Sequence, residues 1–266
     1  MKYLYLTISS IIVAYLVVII FVYFYQRNLL YHPTENNYQD DKVQFNYDEI
    51  FIKVDEEIKL KSWLIKTDFI KYKTRVVFQG NAGHLSNRIY KLNELYKLDI
   101  NILLISWRGF SGNNGSPTEQ NLYRDAEAAI KWLKDQKVRN NQIILYGESL
   151  GSGVAVEIGK RNKYNSIILE SPFTSIENSA KIYYPYLPVR LLLKDRYDSI
   201  SKIKMIDYPV LIMHGKKDDV VPFSMGKELY EKANSPKHSY FTSDDDHMME
   251  FNSKLLNEIR NFIQKY

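Results

Sequence analysis

The sequence predicts an α/β protein: a mostly parallel, doubly wound sheet with helices on both faces and a small insert, preceded by one membrane-spanning helix. Three observations predict it. Short continuous apolar runs alternate with helical stretches along most of the chain. An unbroken apolar segment opens it, and one strand runs straight into Gly147-Glu148-Ser149-Leu150-Gly151. At 266 residues the chain can hold one large domain or two small ones. The net charge of +5 comes from scattered lysines; nucleic-acid binding needs a clustered basic face, so that class is excluded as a first reading. The absence of cysteine excludes disulfides, a thiolate nucleophile and Cys-based metal sites.

From Tyr3 to Tyr25 there is no charge, proline or glycine. As a helix this run spans roughly 34 Å, enough for a hydrocarbon core of about 30 Å. Tyr3, Tyr5, Tyr23 and Tyr25 lie near its ends, where amphipathic rings suit the interface. A cleaved signal peptide is the competing reading, but its apolar region is usually about 7–15 residues and ends in a small-x-small site, which does not follow here. Residues 1–26 are therefore read as an uncleaved anchor, 27–42 (polar, with Pro33) as a tether, and 43–266 as the folded domain. Only Lys and Arg count in the orientation rule, and Lys2 nearly balances Arg27. The sequence assigns the domain to neither side.

Within the domain, "FNYDEIFIKV" and "IKLKSWLIK" read as two antiparallel edge strands joined at Asp55–Glu57. Then strands and helices alternate. "RVVFQG" precedes a helix over 85–98, "NILLISW" one over 117–136, and "QIILYG" one over 149–161. "SIILES" leads into an irregular insert, 172–201. "PVLIMHG" precedes a helix over 223–234, and "HSYFTS" one over 248–265. Continuous apolar strands are those buried on both faces of a parallel sheet. One helix start is legible in detail: Ser116 as N-cap, Pro117 at N1 and Glu119 at N3 make a capping box. Leu122, Ala126, Ala129, Ile130 and Leu133 then share one face.

Ligands of a parallel sheet bind beyond the carboxyl ends of its strands, and Ser149 stands at such an end. A tight strand-to-helix turn strains the nucleophile's backbone and brings the residues two before and two after it against neighbouring backbone, hence Gly147 and Gly151. Gly153 is read as letting the helix pack close to the sheet. A serine hydroxyl needs a base, and the base an orienting carboxylate. In this turn architecture the chain order is Ser, acid, His. After "PVLIMHG" come Asp218 and Asp219, with Asp218 the preferred acid and Asp219 the reserve. Of His32, His84, His214, His238 and His247, only the last two lie downstream of the acid. His238 opens the last strand at the wrong end of the sheet, so His247 is the base. Asp244, Asp245 and Asp246 beside it are expected to favour its protonated form, placing a limb of the pH–rate profile above the reference value of about 6.5. The backbone N–H groups of Leu150 and of Asn81, in "FQGNAGH", are the expected oxyanion donors.

Ser149, Asp218 and His247, with "QGNAG", resemble the α/β-hydrolase fold. "QRNLLYHPT", "SWRGFSGNNGSPTEQNLYRDAEAAIKWL", "GESLGSG", "ESPFTSI", "LPVRLLLKDRYDSISKI" and "HGKKDDVVP" make the chain similar to the Bem46-like branch of membrane-anchored serine hydrolases, from about residue 26 onward. The resemblance implies Ser149 as nucleophile, Asp218 as acid, His247 as base and the second oxyanion donor around Asn81. It departs from the family at Gln79, where a histidine is usual, at Ser106, and in "DDDHMME". Gln79 is expected to hydrogen-bond and hold its loop. The insert falls where the fold places a lid, and Tyr183, Tyr184, Tyr186, Leu187 and Leu191 to Leu193 are expected either to line an apolar acyl pocket or to pack on the sheet as ordinary core. The expected activity is cleavage of an ester or thioester through an acyl-enzyme, with no metal or organic cofactor. Its substrate would be an acylated small molecule, a lipid or an acyl-protein. A peptidase or amidase of the same fold, or a catalytically silent binding protein, are the alternatives.

Overall fold

The computed structural model describes residues 1–34, 43–65 and 68–266. Helix α1 (Lys2–Leu30) is exposed along almost its whole length and is long and apolar enough to cross a membrane. It runs past the expected anchor boundary. Residues 27–30 finish the helix instead of beginning a tether, because Gln26 and Arg27 find polar partners on the domain. The following β1 (His32–Pro33) pairs in parallel with β5 (Ala82–Gly83). The rest of the expected tether, 35–42, lies outside the described residues.

Among the described residues the main sheet has eight strands. The edge hairpin is β2 (Asp48–Lys53) and β3 (Lys59–Ile65), turned by Asp55, whose side chain accepts from the N–H groups of Glu57 and Ile58. Then come β4 (Thr74–Phe78), α2 (Ile89–Leu95), β6 (Asn101–Ile105), α3 (Glu119–Asp135), β7 (Ile143–Glu148), α4 (Leu150–Arg161) and β8 (Ser166–Glu170). The insert folds into short helices α5 (Ile176–Tyr183), α6 (Val189–Leu192) and α7 (Ser199–Lys202). The chain closes with β9 (Val210–Gly215), α8 (Phe223–Lys232), β10 (Lys237–Thr242) and α9 (Ser253–Lys265). The strand order is β10-β9-β8-β7-β4-β6-β3-β2, antiparallel only where β3 meets β2 and β6.

Strands β4, β6, β7, β8 and β9 are buried at every position. Helices α3, α4 and α8 cover one face and α2 and α9 the other, giving two apolar layers. Leu122, Ala126, Ala129, Ile130 and Leu133 of α3 are all buried, as their spacing requires. Because β4 lies between β7 and β6, the winding reverses there, and the crevice at such a reversal is where open α/β sheets bind ligands.

Three local expectations are corrected. Helix α3 begins two residues late, with Thr118 as its N-cap, because the Glu119 carboxylate does not turn back on Ser116. It accepts instead from the Tyr123 hydroxyl and from the Arg196 N–H of the insert. The helix over 85–98 is α-helical only in α2, with 3-10 turns before and after it. Helix α9 starts at Ser253, not 248, because the Asn252 side chain caps it by accepting from Lys254 and Leu255.

Candidate active site

Ser149 joins β7 directly to α4 with φ 49° and ψ −116°, a region side chains rarely occupy. The flanking glycines are a steric requirement. A Cβ on Gly147 would lie 2.5 Å from the Gly151 carbonyl oxygen, and one on Gly151 only 1.9 Å from that of Phe78. A Cβ on Gly153 would instead meet Phe173 and Tyr197 at 3.0 Å. What Gly153 admits is thus two aromatic side chains from beyond β8, not the sheet.

Ser149, Asp218 and His247 meet at this rim. His247 Nε2 lies 3.0 Å from Ser149 Oγ, and its Nδ1 2.8 Å from Asp218 Oδ2. Asp218 Oδ1 accepts the N–H groups of Val220 and Val221. Burial works against the charge of Asp218, but hydrogen bonds from His214 and His247 outweigh it and hold the carboxyl well below the usual range. Burial likewise opposes a charged His247. The hydrogen bond and charge of Asp218, then Glu170 and Glu148, lift its pKa above the ordinary value. The direction is as expected, but the cause is buried carboxylates, not the neighbouring Asp244–Asp246 run. Asp219 is exposed, and its carbonyl accepts from the Tyr183 hydroxyl. His238 lies at the start of β10, the opposite end from the rim, against the Tyr266 hydroxyl.

Two groups of residues escaped sequence reasoning. His214, fully buried at the end of β9, puts Nε2 3.0 Å from both Asp218 Oδ2 and the Val221 carbonyl. Both neighbours are acceptors, so Nε2 carries the hydrogen. The spacing from His214 to Asp218 is the one signal that could have found it. The second group lies behind the nucleophile. Glu148 receives Arg88 at 2.8 Å and Lys91 at 2.7 Å, and Lys91 also reaches Glu170 at 2.7 Å. Tyr146 donates its hydroxyl to Glu170. Burial disfavours charge on Glu148, yet Arg88 and Lys91 depress its pKa; Glu170 is pushed up by burial and by Glu148. The N–H of Ser149 itself donates to the Glu170 carbonyl. The network therefore fixes Glu148, just before the turn, and Glu170 on the neighbouring strand, whose carbonyl holds the Ser149 N–H.

Leu150 opens α4, so its N–H has no acceptor within the helix, and it lines one cavity with Ser149 and Asn81. The loop carrying Asn81 is held from an unexpected quarter. Asn81 Nδ2 donates to the Leu30 carbonyl at the end of α1, and its own carbonyl accepts from His32 N–H. Gln79 does not hold the loop through its side chain. Its amide is buried without a hydrogen-bond partner among the described residues, and its backbone carbonyl accepts from Trp107 Nε1. The cavity, about 260 Å³, is otherwise walled by Leu29 and Leu30 of α1, by Phe173, Ile176, Ala180, Tyr183 and Tyr184, and by Val220 and Val221. Among the expected lid residues, Tyr183 and Tyr184 line it. Tyr186 and Leu191 do not line it, and Leu187, Leu192 and Leu193 line a neighbouring groove.

Residues 72–199 match the family model described as "Serine aminopeptidase, S33". An uncharacterized protein of Mycobacterium tuberculosis is 35% identical over 223 residues, covering 83% of this chain and 79% of its own. Protein bem46 of Schizosaccharomyces pombe is 30% identical over 219 residues, 76% of this chain and 73% of its own. The lysophosphatidylserine lipase ABHD12 of Danio rerio is 31% identical over 201 residues, 68% of this chain and 52% of its own. Among solved structures, an esterase of Pyrococcus furiosus superposes with a TM-score of 0.72 at 20% identity, over 89% of this chain and 97% of its own.

Proposed function

The chain belongs to the α/β-hydrolase superfamily, in the Bem46-like group, and from that premise we propose a membrane-anchored serine hydrolase that cleaves an ester or thioester through an acyl-enzyme. One observation carries the reading: an unbroken relay of 2.8 and 3.0 Å from Asp218 through His247 to Ser149, on the floor of an apolar cavity. In this reading Ser149 Oγ attacks the acyl carbonyl while His247 Nε2 takes its proton. Asp218 keeps the hydrogen of the neutral ring on Nδ1 and stabilises the imidazolium that forms. The N–H groups of Leu150 and Asn81 receive the charge on the carbonyl oxygen. His247 then returns its proton to the departing alcohol or thiol. A water molecule, deprotonated by the same ring, attacks the acyl-serine, and His247 passes that proton to Ser149 Oγ as the acyl–oxygen bond breaks and the acid leaves.

Apolar walls favour an acyl chain as the group held beside Ser149, which fits the lipase and esterase names among the similar proteins. The family description favours a second reading, an aminopeptidase. Such an enzyme must receive a substrate ammonium, and no carboxylate is among the described residues lining the cavity. Helix α1 supplies the membrane attachment in the proposal, by its length and its uninterrupted exposed apolar surface. The test is labelling with a fluorophosphonate probe, which modifies an activated serine. The full chain is expected to label and Ser149→Ala to stay unlabelled; a folded wild-type chain that does not react would leave a silent binding protein.

A further inference from the structure

The cavity at Ser149 does not end at α1. A second apolar groove, about 150 Å³, continues from it between α1 and the insert, and the two share Leu29, Leu30, Ile176, Ala180 and Tyr184. The groove follows the helix back to Val22, opposite Leu187 and Leu192. One wall of the path from Ser149 is thus the same helix that is apolar enough to cross a bilayer.

The insert also climbs that helix. The Tyr15 hydroxyl donates to the Tyr186 carbonyl at 2.7 Å. Tyr15 lies ten residues before Tyr25, the end of the apolar run, which is about 15 Å along a helix axis. The tip of the insert therefore stands at the depth of the middle of the run. It carries Ile182, Tyr184, Tyr186 and Leu191, which are 53%, 48%, 64% and 82% exposed. Exposed apolar side chains so close along the chain are costly in water and ordinary in a leaflet, and the exposed Lys181 and Arg190 beside them have stems long enough to reach toward the head groups. Nearer the domain, Lys194 sets its ammonium 4.2 Å from the Tyr23 ring, an aromatic and a cation together at the level where head groups begin.

We propose that the insert tip is embedded in the same leaflet as α1, and that the seam between them is a lateral acyl track leading from the hydrocarbon to Ser149. The substrate is then an acyl ester resident in the membrane, whose carbonyl rises to Ser149 while its tail lies mainly against apolar side chains and passes Gln26 and the Arg27–Asp195 pair at the wall of the groove. The track rests on the hydrolase reading for its chemistry; the placement of the tip does not.

Because the chain has no cysteine, Tyr186→Cys gives a single labelling site. With a bimane fluorophore there, the full chain in phosphatidylcholine–phosphatidylglycerol vesicles is expected to be quenched more strongly by a nitroxide on the lipid acyl chain than by aqueous iodide. The reverse order overturns the embedded tip. Val22→Trp, which narrows the groove beyond the cavity, is expected to lower the rate on a sixteen-carbon ester relative to a four-carbon ester at least tenfold. An unchanged ratio overturns the track. Failure of the wild-type chain to react with a fluorophosphonate would strike the hydrolase reading instead, and the quenching order would still decide where the tip lies.

Discussion

At the carboxyl rim of the sheet, Arg88, Lys91, Glu148 and Glu170 keep side chains at most 9% exposed and bonded to one another. Along the seam beside α1 most contacts are leucines, valines and tyrosines, Gln26 bonds the Leu192 carbonyl and Lys194 N–H, and the ion pair of Arg27 with Asp195 leaves its arginine 44% exposed. The two regions respond to damage differently. Buried charges depend on their partners, so removing one member leaves another unpaired in a dry interior. Apolar contacts are non-directional, and their loss scales with the area uncovered. The rim can hold atoms to a fraction of an ångström; the seam can accept chains of differing shape.

The largest effect expected from breaking the rim is on rate. Asp218→Asn removes the acceptor that fixes the His247 tautomer and should lower kcat on an ester about 10⁴-fold, with the far-ultraviolet spectrum unchanged. Lys91→Met should show the rim's dependence on pairing. It leaves Glu148 and Glu170 facing each other without their shared cation, and unfolding in urea should register a loss of about 3–5 kcal/mol. A third measurement uses pH. The raised pKa of His247 means its neutral, basic form appears only above that value. The rate should therefore fall about tenfold per unit on acidification, with the midpoint above the reference of about 6.5; a flat profile from pH 5 to 8 would remove His247 from the relay. The seam supplies the smallest effect. Arg27→Ala should cost about 1–3 kcal/mol, since the guanidinium is exposed but the buried Asp195 loses its cation while keeping the Glu119 N–H as a donor.

The residues that meet at the rim were readable because each ends a strand: Ser149 after β7, Asp218 after β9, His247 after β10. A strand's apolar run marks its own end, and parallel winding brings all such ends to one side. Lys91 was not readable. A lysine within a short helix looks like a solvated surface residue, and only the packing of α2 against the sheet turns it inward. The first residues of the expected tether, 27–30, are helical for the same reason: polar character at Gln26 and Arg27 signals solvent unless a partner far along the chain takes it up.

The sequence by itself determined the order of the main strands and helices, the glycine-flanked turn at Ser149 and the apolar helix, because each follows from spacing within one element, and the three residues at the rim, because each follows a strand's end. Only the tertiary structure decided that α1 and β1 form part of the site. Tyr31 meets Tyr197 across 166 positions and Tyr15 meets Tyr186 across 171. Contacts over such separations depend on how finished elements pack, and no local periodicity encodes them.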